Sequence, residues 1–148
     1  MEAETDNVRR FMNEYATRFN AAINSDDIDV DATAGAFAVC FMEAGPSGVT
    51  CGSNNAQFRE LIPKGYQFYK SIGVSSMEIV QMNITQLDTI HTMVNCEWKS
   101  GYKRPDLRKK GIMRFNVIYF LQKNGESFKI FAYITGDEQK CLREHGLI

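Results

Sequence analysis

The sequence has little of what usually announces a reaction. Its two histidines, His91 and His145, lie far apart, and His145 is three residues from the last one. A Ser-His-Asp or Cys-His triad is therefore not expected. The four cysteines, Cys40, Cys51, Cys96 and Cys141, form no C-x-x-C pair and have no clustered histidines nearby. Each sits in or beside an apolar run, so all four are expected to be buried, reduced thiols, with no metal site. Gly-rich phosphate loops, dinucleotide fingerprints and zincin patterns are missing, so no cofactor is expected. Neither sign of charge dominates. The chain has 17 basic and 18 acidic side chains and a net charge of −1, which argues against a nucleic-acid partner. The longest apolar stretch, Ala32 to Met42, is too short to span a membrane. The opening MEAETDNVRRF lacks the apolar core of a secretory signal. A cytoplasmic location, with no membrane partner, is the expectation.

What is present describes an ordinary globular chain. Of 148 residues, 44% are hydrophobic and 24% charged, a balance that supports one domain over 1–148 with a sizeable core. Val8, Phe11, Met12, Tyr15, Phe19, Ala22 and Ile23 recur at helical spacing, predicting a helix over 6–24. Asp6 is its expected cap, and Arg9, Arg10, Glu14 and Arg18 lie on its wet side. A short Ala-rich helix over 28–35, a strand over 37–44, and the turn GPSG leading into VTC follow. A second long helix is expected over 57–72, with Phe58, Leu61, Ile62, Tyr66, Tyr69 and Ile72 on one face. Pro63 should kink it or mark its start. Strands are predicted over 77–85, 89–101, 112–122 and 127–135, the last two joined by the tight turn KNGE, and a final helix over 137–145. Helices followed by a run of strands mean α+β, with an antiparallel sheet curling around the helices.

That order of elements, with RFNAAINSDDID at 18–29, resembles the nuclear transport factor two-like superfamily. Within it, the chain looks most like the branch of SnoaL-like polyketide cyclases and ketosteroid isomerases. Asn24, Asp27, Ile28 and Asp29 match the family's helix ending, and Gly125 with Phe128-Lys129-Ile130 matches its closing hairpin, Phe replacing Trp. The resemblance implies a cone-shaped, cystatin-like roll: a strongly bent antiparallel sheet wrapped around N-terminal helices, leaving an apolar pocket. It also implies roles for particular positions. The oxyanion-hole tyrosine of the isomerases falls at Phe19, which has no hydroxyl to donate. The general base falls at Glu43, and the second oxyanion acid falls near Ile118. The Arg-x-Asp of fold-related epoxide hydrolases is echoed by Arg114-Phe115-Asn116, where an Asn cannot be the base.

Several residues are candidates beside that resemblance. Glu43, flanked by apolar residues, becomes a useful general base if a dry pocket raises its pKa. Tyr15, Tyr66, Tyr69, Trp98 and Tyr133, with Phe19, are candidates for an aromatic pocket whose phenols orient a ligand. Arg114 and Asn116 are open to two readings. Alternation puts them outside, because Met113, Phe115, Val117, Tyr119 and Leu121 form the apolar face; the isomerase register puts them in the pocket. The basic run KSGYKRPDLRKK at 99–110 reads as a solvated hairpin tip. The expected function is binding of an apolar, carbonyl-bearing small molecule. In the enzyme version this is a cofactor-free isomerase, cyclase or lyase using Glu43; the alternatives are a carrier or sensor without turnover, or an interaction module. Both faces of the last strand are apolar, with Phe128, Ile130, Ala132 and Ile134 on one and Phe131 and Tyr133 on the other. A homodimer packed through the sheet face is therefore expected.

Overall fold

The computed structural model describes the backbone of residues 2–148 and the side chains of residues 4–148. Helices α1 (Glu2–Ser25) and α2 (Val30–Gly35) lead into the hairpin β1 (Phe37–Gly45) and β2 (Gly48–Ser53). Helix α3 (Ala56–Ser71) follows, then strands β3 (Val74–Gln86), β4 (His91–Arg104), β5 (Lys109–Asn124) and β6 (Ser127–Thr135), and helix α4 (Glu138–Glu144). The strands form one curled sheet in the order β2-β1-β6-β5-β4-β3. The architecture is the α+β, cystatin-like roll expected. One pairing departs from the antiparallel expectation: β1 and β6 run parallel. They are remote in sequence, so a long crossover rather than a hairpin joins them.

Helix α1 begins before its expected cap. Glu2, Ala3 and Glu4 favour helix, and acidic groups suit an N-terminus, so Asp6 lies inside the helix. Its apolar stripe of Val8, Met12, Ala16, Phe19, Ala22 and Ile23 is buried against the sheet. Asn20 fixes the register of that contact. Its Nδ2 donates to the Met77 carbonyl at 2.6 Å, and its Oδ1 accepts from the Met77 amide at 2.9 Å. Strand β3 is a sheet edge, so Asn20 satisfies peptide groups that no further strand reaches. Helix α3 runs through Pro63 rather than starting there, capped by Asn55, whose Oδ1 accepts from the Phe58 amide at 3.0 Å.

Strand β4 alternates without a break: Thr92, Val94, Cys96, Trp98, Ser100 and Tyr102 are all buried. Strand β5 turns Met113, Val117, Tyr119 and Leu121 inward. Strand β6 does not keep one alternation. Leu121 pairs with Ile130 and Phe120 with Ala132, leaving Phe131 as an extra residue. This bulge exchanges the faces beyond it. Phe128 and Ile130 point into the core, whereas Tyr133 points inward and Ile134 outward, so Ala132 and Ile134 do not share the face of Phe128 as alternation predicts. The cysteines are all free, but only Cys96 is fully buried; Cys141 is half-buried, and Cys40 and Cys51 are exposed on the β1–β2 hairpin. No helix among the described residues is long and apolar enough to cross a membrane.

Candidate functional site

Between the sheet and α1, α3 and α4 lies a cavity of about 790 Å³, within the range that small-molecule sites occupy. Eleven aromatic side chains line it, among them five of the six tyrosines and the single tryptophan. Each element contributes through the periodicity that formed it. Helix α1 supplies Tyr15 and Phe19, one turn apart on its buried stripe, and α3 supplies Tyr66 and Tyr69. The inward faces of β4 and β5 supply Trp98, Ser100, Phe115 and Tyr119, and β6 adds Tyr133 because of its bulge.

The rings hold one another in place. Tyr15 packs edge-on to Tyr119 at 6.1 Å and tilted against Trp98 at 6.4 Å; Phe19 meets Tyr66 edge-on at 5.2 Å. Such pairs add to the area they bury. Trp98 Nε1 donates to the Tyr119 hydroxyl at 3.1 Å, satisfying a buried indole. Burial pushes the phenols of Tyr15, Tyr66, Tyr69, Tyr119 and Tyr133 above their ordinary value. All five are consequently neutral at physiological pH and act as hydrogen-bond groups rather than bases. Burial likewise pushes the Cys96 thiol up to about 12, so it is not a nucleophile.

Two carboxylates complete the site from its rim. Glu43 stands opposite Tyr133 in the parallel pair of β1 and β6, and its charge adds to the burial that raises that phenol. Glu138, in the first turn of α4, accepts from the Tyr69 hydroxyl at 2.6 Å. Glu43 lines the cavity, but it is exposed. The dry surroundings assumed for a strongly desolvated base are not there. Ser100 is the least satisfied member: its residue is 1% exposed, it lines the cavity, and its Oγ has no hydrogen-bond partner among the described residues.

Of the sequence-derived candidates, Tyr15, Phe19, Glu43, Tyr66, Tyr69, Trp98 and Tyr133 come together around this cavity. Arg114 and Asn116 do not. Both are exposed on the outer face, Arg114 within 3.8 Å of Glu97 and Asn116 donating to Asn95 at 3.0 Å. The alternation of β5 decides the matter, because the apolar face must be buried and the two faces cannot both be. Arg18 is corrected in the opposite sense. It is half-buried rather than on the wet side, its Nε has no hydrogen-bond partner among the described residues, and its charge acts on Tyr15 and Tyr66. His91 faces away from the cavity side of β4, its Nδ1 within 2.9 Å of both Asp88 oxygens. Sequence reasoning missed Ser100, Tyr119 as a cavity residue, and Glu138. Ser100 and Tyr119 were in reach, since they continue the inward alternation of Trp98 and Val117.

A family model described as an NTF2-like protein (DUF6841) matches residues 3–138. No curated protein matches the sequence. Among solved structures, an NTF2-like protein with a cystatin-like fold from Novosphingobium aromaticivorans is similar with a TM-score of 0.68. It is 9% identical, over 97% of this chain and 88% of that one. An NTF-2 like protein of unknown function from Shewanella oneidensis has a TM-score of 0.60 at 18% identity, covering 90% and 99%. A ketosteroid isomerase-like protein from Erwinia carotovora atroseptica has a TM-score of 0.55 at 14% identity, covering 86% and 93%. At these identities the structural likenesses establish the fold alone.

Proposed function

The chain belongs to the NTF2-like family DUF6841, and from that premise we propose that it is a cytoplasmic small-molecule-binding protein of the SnoaL-like type. Its ligand has an apolar, ring-sized body and few polar groups. One observation carries this reading: a cavity of ligand size whose buried Ser100 hydroxyl has no partner among the described residues. A hydroxyl in that position costs free energy unless something bound there meets it. The aromatic lining supplies the affinity and the phenols supply the orientation. Native mass spectrometry of protein purified from its own host tests the reading. One small-molecule adduct per protomer is expected, and a bare chain mass under conditions that preserve non-covalent complexes argues against it.

The Glu43–Tyr133 pair favours a second reading, turnover without a cofactor. A carboxylate able to accept a proton stands beside a phenol able to donate one, which is the equipment for shifting a proton on a carbonyl compound. With Phe19 in place of an oxyanion donor, the stabilising hydrogen bond comes from another hydroxyl of the cavity, such as that of Tyr119 or Ser100. On this reading Glu43→Gln retains the ligand while lowering turnover by about 10²–10⁴-fold, measured on the compound recovered from the host. The chain is further proposed to pair with a second copy through the outer sheet face, where Met42, Val80, Ile112 and Ile134 are exposed.

A further inference from the structure

We infer that the cavity recognises an organic cation, an amine or quaternary ammonium held at the rim by Glu43 and Glu138, with its apolar body among the aromatic rings. The inference rests on the ligand-binding reading above and specifies the ligand's charge. Glu43, Asp137 and Glu138 line the cavity, whereas no lysine, arginine or histidine among the described residues does. None of the three carboxylates takes part in an ion pair with the described residues. At the rim a carboxylated or phosphorylated ligand meets like charge, while a cation meets carboxylates that make no ion pair with the described residues.

Position follows from the charges around the rings. Arg18, on α1, acts on the Tyr15 and Tyr66 phenols and so disfavours a second cation beside them. Both Glu43 and Glu138, by contrast, act on the Tyr133 phenol, and Glu138 holds the Tyr69 hydroxyl. Two carboxylates beside two phenol rings suit an ammonium, because the ring face and the anions attract it together. The acidic rim is not the sole sign of a ligand. The partnerless Oγ of Ser100, buried in the same cavity, calls for a polar atom on the ligand's body in addition to its charged group.

The test uses the intact protein and the emission of Trp98, its single tryptophan, titrated with three probes of similar shape. These are benzyltrimethylammonium, its uncharged carbon isostere neopentylbenzene, and phenylacetate. The cation is expected to bind at least tenfold more tightly than the isostere, and the anion more weakly than either. In the double variant Glu43→Gln/Glu138→Gln, both at exposed positions, that preference disappears while binding of the isostere persists; each single variant moves in the same direction. If the isostere binds as tightly as the cation, the charge assignment is overturned and the ligand-binding reading stands. If the preference survives the double variant, the placement between Glu43 and Glu138 is overturned. If no probe alters the emission of Trp98, both readings fail.

Discussion

Tyr119 joins the chemistry of single residues to the stability of the core, since its hydroxyl accepts from Trp98 and its ring packs on Tyr15. Tyr119→Phe leaves a buried indole N–H unpaired and is expected to cost about 1–3 kcal/mol, read from the denaturation midpoint. Ser100→Ala should move the other way. It removes a buried hydroxyl that has no protein partner, so the free protein gains about 1 kcal/mol, a rise of roughly 2–4 °C in Tm, while ligand affinity falls. A Tm loss in the free protein would show that Ser100 already has a structural partner. The phenols also set the alkaline limit of the fold. Burial raises the folded pKa values of Tyr15, Tyr69, Tyr119 and Tyr133 above the unfolded value of 10.0. Below 10 both states are protonated and the stability is fully present. Above it the unfolded chain releases protons that the folded one keeps, so stability falls as pH rises. Tm should therefore decline beyond pH 10, with the tyrosinate absorbance of these four phenols appearing together with unfolding rather than before it. Six of the cavity's aromatic residues, Tyr15, Phe19, Tyr66, Tyr69, Trp98 and Tyr133, and Glu43 were legible in the sequence as types that suit a pocket. The exposure of Glu43 was not, because it depends on where the cavity opens, which no local pattern records.

Among the elements, the turn from α3 to β3 is the most demanding. Gly73 sits at a φ of 93°, and a Cβ there would lie 2.5 Å from the Lys103 carbonyl oxygen. Gly73→Ala is expected to cost more than the ~1–2 kcal/mol of a left-handed residue, visible as a lowered Tm with the cavity unchanged. The joint between α1 and β3 makes a parallel demand, since Asn20 holds both peptide groups of Met77. Asn20→Ala should loosen this edge by about 1–3 kcal/mol, seen as faster amide exchange along β3 before any global unfolding. Helices and strands were legible wherever one face is wholly buried, as in β4, where period two runs from Thr92 to Tyr102 without a fault. They were not legible where two surfaces compete. Alternation in β6 reads as continuous, and only pairing with both β5 and β1 reveals that Phe131 is extra. The change of face at that bulge is what brings Tyr133 opposite Glu43.

On the scale of the whole molecule, the chain exposes 8711 Å², against about 7,700 Å² for a compact monomer of its mass. A self-pairing sheet face would remove part of this excess, so sedimentation at micromolar concentration should give a dimer. Ile112→Lys, at a position 51% exposed on that face, should shift the equilibrium toward monomer without altering Trp98 emission. A wild-type chain that sediments as a single copy would contradict the pairing. The fold class was legible at this scale from the order of elements, and the family match bears it out. The size of the cavity was not, because it arises from how far the curled sheet stands off α1 and α3. The central claim is that this cavity holds a small molecule, and the crystal structure of the protein with the compound recovered from its host tests it most directly. The account predicts one molecule enclosed by Tyr15, Trp98 and Tyr119, with a polar atom within hydrogen-bond distance of Ser100 Oγ. A compound seated on the outer face, with the cavity vacant, would contradict it.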